Sequence, residues 1–446
     1  MTESRFTYSI DTLKQITEDI LAQAKQAGAS DCEAEVSQGF GQGVTVRMGG
    51  VETIEYNRDK GLGVTVYFGK KRGHASTSDL TSQAIRDTVQ AAVTIAKYTA
   101  SDEFAGLADP ALLAKDIPDL DLYHPWDISV EQAVELAISC EESAMGVDKR
   151  INNSEGASIS TQESLFVYGN SSGFIGGYPT SRHSVSCAVI AESEEGMQRD
   201  YWYSTSRVAN ELDKPETVGK RAGERTVRRL GGRKLKTMQV PVIYEAPVAA
   251  GLLGSFVSAV SGGALYRKTS YLLDSLGKQV FAPFIQIREL AHINKGLASS
   301  PFDNEGVATK DRDIIKDGIL QGYFLSSYSA RKLGMVTTGN AGGNHNLILQ
   351  SGSLDFAGLL KSMGTGLVVT ELLGQGINPV TGDYSRGAAG FWVENGEIQY
   401  AVEEITVAGN LKNMFNDIVE VGNDVLIQGS RQCGSILIGN MTIAGE

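Results

Sequence analysis

Apolar residues recur at helical spacing near the start of the chain, at Leu13, Ile16, Ile20, Leu21, Ala24 and Ala27, with Asp11 placed to cap the helix and Gly28 to stop it. The period then shortens. From Cys32 to Thr77 apolar and polar residues alternate, with Val44, Val46, Val51, Ile54 and Tyr56 before a polar turn at 57–61, then Val64, Val66 and Phe68. A helix over about 80–98 closes this unit. Residues 100–126 hold Pro110, Pro118 and Pro125 without periodicity and read as a connecting loop. The same order then returns: Asp127 as cap, a helix through Val130, Ala133, Leu136 and Ala137 to about Met145, strands near 157–160, 165–168 and 185–191, and a helix near 215–230. Asn-to-Gly turns at 57–61 and 170–173 occupy similar places in the two halves, which predicts a diverged duplication with sub-repeats 10–100 and 127–230.

Beyond Gly231 and Gly232 the pattern changes. A strand around Val240 leads into 246–265, an uncharged stretch holding Pro247, three serines and four glycines. Its length would span a bilayer, but its small and polar residues make a buried or interface helix the better reading. Short strands follow at 366–372, 390–393, 398–402 and 435–437, punctuated by Gly and Asn as in a barrel or sandwich. The predicted class is α+β, with an amino-terminal α/β region of helix and antiparallel-strand units (1–232) and a β-rich carboxy-terminal domain (233–446).

Composition narrows the function. Among 446 residues, 51 are Gly and only 10 Pro, favouring tight turns over Pro-rich linkers. A net charge of −13 argues against nucleic acid or membrane surfaces as general partners. The four cysteines, Cys32, Cys140, Cys187 and Cys433, form no CxxC pair, and the segment MTESRFTYSID lacks a basic start and an apolar run. A cytoplasmic protein is expected.

Generic catalytic motifs are weak. The five histidines, His74, His124, His183, His292 and His345, offer no HExxH or HExxxH pair, so no helix presents two imidazoles to one zinc ion. Asp119, Asp121 and His124 form a metal-like cluster better read as a solvated loop. The 169–173 segment matches GxSxG, but Gly176, Gly177 and Pro179 follow where a nucleophile elbow requires a helix, so a hairpin turn is expected. No phosphate-binding glycine loop is present. Residues 219–236 carry eight basic groups and one acid, Glu224, without aromatic residues for base stacking; an interface or solvated face is expected.

Three longer blocks are specific: RKTSYLL at 267–273, SPFDNEG at 300–306, and GQGINPVTGDYSRGAAGFWVENGEIQYAVEEITVAGN at 374–410. They resemble the PmbA/TldD family, once called modulators of DNA gyrase, and within it the PmbA (TldE) branch. The resemblance implies a cytoplasmic metallopeptidase of two related subunits, with the active site in the carboxy-terminal domain. In the TldD branch a helix before the Arg-Lys motif carries HExxxH, and a Cys near the carboxy terminus resembles a third zinc ligand. Counting back from Arg267 and Lys268, the two His positions fall on Gly254 and Ala259 and the Glu position on Ser255. None of the three offers a metal ligand or a carboxylate base. Cys433 matches the ligand cysteine but reads as a small buried residue.

The resemblance therefore implies a metal-free, non-catalytic subunit, with zinc held by a TldD-type partner in a heterodimer, homodimers when isolated, and unfolded or extended peptides as substrates. Modified-peptide maturation and antitoxin turnover are the family roles. Restoring Gly254→His, Ser255→Glu and Ala259→His is expected to raise zinc affinity. Two alternatives stand beside it: a stand-alone metallopeptidase with dispersed ligands, and a DNA- or gyrase-associated binding protein using 219–236.

Overall fold

In the computed structural model of the chain, which describes residues 5–445, hydroxyl groups start three of the four amino-terminal helices. The first four residues of the MTESRFTYSID segment lie outside the described residues. Ser9 accepts the Thr12 N–H to open α1 (Ile10–Gln26), Thr81 that of Ala84 to open α2 (Ser82–Tyr98), and Ser129 that of Gln132 to open α3 (Val130–Met145). Pro215 begins α4 (Pro215–Arg228). The expected caps Asp11 and Asp127 sit just beside the true ones; Asp11 lies in the first turn, where its charge still suits the helix dipole.

Between these helices run β1 (Asp31–Arg47), β2 (Gly50–Phe68), β3 (Lys71–Thr77), β4 (Ile151–Asn170), β5 (Ile175–Ser193) and β6 (Gly196–Ser206), in the sheet order β3-β2-β1-β4-β5-β6. The 57–61 turn is absent: Asn57 faces Gly41 and Gly61 faces Ser37 in the middle of the β1–β2 ladder. The chain instead reverses at Met48 and Gly49, both at positive φ (51° and 75°), the geometry of a two-residue hairpin turn between Arg47 and Gly50. The 170–173 turn is present, closed by the Gly173 N–H to the Asn170 carbonyl, and no helix follows it. Each half is thus helix, three antiparallel strands, helix, and the sheet order is symmetric about the β1–β4 pair. The two halves share this topology, although one of the turns that suggested a duplication does not exist.

The helices of each half bury their own core against the sheet. Leu13, Ile20, Val64, Val89 and Val93 meet in the first half, and Val44, Ala137, Ile159, Val185 and Val218 in the second. α3 and α4 approach so closely that a Cβ on Gly219 would overlap the Cys140 carbonyl oxygen.

The carboxy-terminal region begins with β7 (Met238–Tyr244), α5 (Ala246–Ala259) and α6 (Gly262–Tyr266). The single helix expected over 246–265 breaks at Val260 and Ser261, because the Gly262 N–H turns to the Phe324 carbonyl. Further along come β8 (Ile287–Leu290), β9 (Arg312–Lys316), β10 (Ile319–Leu320), α7 (Ser327–Lys332), β11 (Asn346–Leu349), α8 (Phe356–Met363), β12 (Gly366–Leu373), β13 (Asp383–Glu394), β14 (Glu397–Asn410), α9 (Leu411–Asn416), β15 (Ile418–Val421), β16 (Arg431–Gln432) and β17 (Ile436–Ala444). β14, β13, β12, β7 and β17 close into a five-stranded barrel through the Thr406–Ala444 to Ala408–Thr442 pairing, with β15 added outside β17. A second sheet, β10-β9-β8-β11-β16, lies in the same region. Closure leaves the barrel strands without a free edge, consistent with their short, Gly-punctuated sequences. No helix among the described residues is long and apolar enough to cross a membrane.

The basic 219–236 stretch joins the two regions. Arg225 pairs with Asp200 (3.3 Å) and Glu245 (2.9 Å), Arg228 with Glu245 (3.2 Å), and Arg229 with Asp200 and Glu371. Arg221 lies over the Trp202 ring, Arg228 over Phe391 and Arg233 over Tyr400. The charges expected at an interface or in solvent are largely used within the chain itself.

Candidate active-site region

α5 leaves the barrel at the end of β7 and is anchored at its start: the Ala246 N–H donates to Ser435 Oγ (3.0 Å), whose hydroxyl donates to Asp424 (2.6 Å). Its inner face, Ala249, Leu252, Leu253 and Phe256, enters the main core, where Phe256 meets the Phe281 ring edge-on at 5.0 Å between centroids. Its outer face carries Gly251, Ser255 and Ser258. A Cβ on Gly251 would meet nothing within 4 Å. Both serines turn their hydroxyls back into the helix, Ser255 to the Gly251 carbonyl (3.2 Å) and Ser258 to that of Gly254 (2.9 Å).

Gly254 is buried, and the space its side chain would take is filled by the Arg431 guanidinium. Ala259 ends the helix, its carbonyl accepting from Ser270 Oγ (2.6 Å). Cys433 lies two residues beyond Arg431 and is buried in the same core; desolvation pushes its thiol up to about 12, with Asp424 adding to the rise and Arg431 opposing it. A zinc ion does not fit these residues. Gly254 and Ala259 have no side-chain donor atom, the Ser255 hydroxyl is bonded to the Gly251 carbonyl, burial raises the Cys433 thiol, and the Arg431 guanidinium fills the space beside Gly254.

Other candidates from the sequence are dispersed. His124 contacts Asp121 (3.1 Å), while Asp119 accepts the Asp121 N–H. His74 pairs with Thr65, His183 with Thr161, His292 with Thr309, and His345 with the Gly339 carbonyl. No group of three or more His, Cys, Asp or Glu able to hold a metal occurs among the described residues.

Sequence reasoning missed three features. Arg431 is one; its only signal was a lone basic residue two positions before Cys433. Another is a cleft of about 300 Å³ beside α5, between Asp200–Tyr203 of β6 and Thr370–Leu372 of β12, with Pro247, Gly251 and Arg386 in its wall. There the Thr370 Oγ1 and Arg386 Nε atoms are buried without a hydrogen-bond partner among the described residues. The third is a cleft of about 660 Å³ between the amino-terminal sheet and the 304–305 loop, holding Glu33, Glu35, Arg72, His74 and Glu305. Glu33 accepts from Tyr67 (3.0 Å) and Tyr168 (2.8 Å), and its desolvation nevertheless raises its carboxyl above the usual range. Bringing these residues together depends on long-range pairing that no local pattern reveals.

Three family models match the chain: the PmbA/TldA metallopeptidase C-terminal domain over 237–445, the central domain over 123–230, and domain 1 over 32–96. The chain belongs to the PmbA/TldD metallopeptidase family. Within it the PmbA branch is indicated, by 52% identity over 440 residues, 98% of each chain, to metalloprotease PmbA of Escherichia coli O157:H7. Identity to a metalloprotease TldD homolog of Haemophilus influenzae is 23% over 379 residues, covering 80% of this chain and 77% of that one. A Bacteroides thetaiotaomicron protein named for modulation of DNA gyrase superposes with a TM-score of 0.92 at 28% identity, covering 97% of this chain and 99% of that one. TldE of Thermococcus kodakarensis shares the PmbA/TldD fold, with a TM-score of 0.83 at 19% identity over 96% of this chain and 100% of that one.

Proposed function

We propose that this chain is the metal-free, non-catalytic subunit of a two-component zinc peptidase of the PmbA/TldD family. It pairs in the cytoplasm with a TldD-type subunit that carries HExxxH, and together they act on unfolded or extended peptides. The observation that supports this reading is the Arg431 guanidinium over Gly254, a fixed positive charge at the position that the family resemblance assigns to a metal-binding imidazole. The chain's own contribution is to bind and enclose. The cleft along α5, with its unpartnered Thr370 and Arg386 atoms, is suited to main-chain or carboxylate groups of a peptide, which leave side-chain sequence largely unread.

Metal analysis of the purified chain tests this directly. After incubation with zinc and desalting, the expected content is well below one ion per chain. Stoichiometric zinc, lost on Cys433→Ser, would return the chain to the stand-alone metallopeptidase reading. The DNA-binding alternative is disfavoured by the ion pairs and ring contacts that Arg221, Arg225, Arg228, Arg229 and Arg233 make within the chain.

A further inference from the structure

The cleft beside α5 holds one guanidinium that the chain does not neutralise. Its two acids, Asp200 and Glu371, are already taken: Asp200 pairs with Arg225 (3.3 Å) and Arg229 (3.7 Å), and Glu371 pairs with Arg229. Arg225 in turn holds Glu245 (2.9 Å). Arg386, half-buried in the wall of the same cleft, is in no ion pair among the described residues, and its Nε finds no hydrogen-bond acceptor among them. Thr370 is a second incomplete group in that wall. It is only 7% exposed, and its Oγ1 has no partner among the described residues. β12 pairs Val369 with Gly390 and Glu371 with Ala389, so Thr370 is the extra residue of a bulge, a device that re-aims a side chain out of the regular alternation. Buried polar atoms without partners are rare and cost stability unless a ligand completes them.

The remaining walls narrow the choice of anion. Tyr201 and Tyr203 of β6 stack at 6.3 Å along one side, and Leu372 of β12 lies in the wall formed by that strand. About 300 Å³ between such walls is more than a bare inorganic anion fills, and it suits a charged group with an apolar or aromatic side chain beside it. A guanidinium presents a planar fork of donors that matches the two oxygens of a carboxylate, whereas an internal peptide carbonyl offers a single uncharged acceptor. Three residues along α5 from Gly251, the Arg431 guanidinium over Gly254 is likewise outside any ion pair among the described residues, and it adds to the positive field along the helix.

We propose that this cleft captures the free carboxy terminus of an extended peptide, with the terminal carboxylate on Arg386 and the last side chain against Tyr201, Tyr203 and Leu372. The proposal rests on the reading of this chain as a peptide-holding subunit and adds which end of the peptide it takes.

Fluorescence anisotropy on the purified full chain tests this. The probe is one unfolded peptide without Asp or Glu, labelled at its amino terminus and ending in either a carboxylate or an amide. The acid is expected to bind about tenfold tighter than the amide, the scale of one charge-assisted pair. Arg386→Gln should abolish that preference by weakening the acid form alone, and Arg386→Lys, which keeps the charge without the fork, should retain part of it. Equal binding of acid and amide by wild type, a comparison that needs no variant, would overturn the carboxy-terminus assignment and leave the peptide-holding reading standing. So would an amidated peptide with one internal Glu that binds as tightly as the acid, because the cleft would then read a side-chain carboxylate. Binding of neither peptide would overturn both, and an acid preference undiminished in Arg386→Gln would remove Arg386 from the site.

Discussion

At Gly254 the absent side chain leaves room that the Arg431 guanidinium takes, which sets a fixed positive charge against this helix. Gly254→His, Ser255→Glu and Ala259→His were expected from the sequence to recruit zinc; with Arg431 in place the triple variant is now expected to remain metal-free, and adding Arg431→Ala should admit zinc. Isothermal titration with zinc on both variants checks this. Asp303 offers a second residue-scale test. Its carboxylate accepts the Glu305, Val307 and Ala341 N–H groups, yet burial raises it to about 6. Because the folded-state value lies above the unfolded one, the folded chain keeps the extra proton between about pH 4 and pH 6. This group therefore favours the fold most below pH 4, and its contribution falls by about 2–3 kcal/mol as pH rises through 6. Denaturant titrations across that range should show the advantage of wild type over Asp303→Asn shrinking as pH rises.

Among the elements, the contact of α3 with α4 rests on a glycine and the α4–α5 junction on buried charges. Gly219→Ala forces the helices apart at the Cys140 carbonyl and is expected to cost about 1–3 kcal/mol, read by chemical denaturation. Arg225→Ala leaves Asp200 with Arg229 and Glu245 with Arg228 as remaining partners, and the lost charged contacts should cost about 1.5–3 kcal/mol. Elements of this kind were largely legible in the sequence. Helical spacing from Leu13 to Ala27 located α1, and alternation located β1 and β2, because amphipathic periods survive burial on one face. The 57–61 turn was misread because Asn, Asp and Gly are tolerated on an exposed edge strand, where pairing with β1 rather than local propensity sets the path. The break of α5 from α6 escaped notice for a similar reason, since it is made by a bond to Phe324, 62 residues away. The family motifs pointed to Gly254, Ser255, Ala259 and Cys433, but not to Arg431, as nothing local ties it to a helix 177 residues earlier.

Across the whole molecule, a six-stranded sheet of two like halves is fastened to a closed barrel by arginines of α4, and α5 packs into the core with a cleft along it. The proposed role is to hold peptide and a partner subunit while the partner activates water. Cleavage of an unfolded peptide by the purified chain, by a TldD-type partner and by their mixture, each with and without a zinc chelator, tests this most directly. Cleavage is expected in the mixture, abolished by the chelator, and absent with this chain alone. Chelator-sensitive cleavage by this chain alone would contradict the non-catalytic assignment.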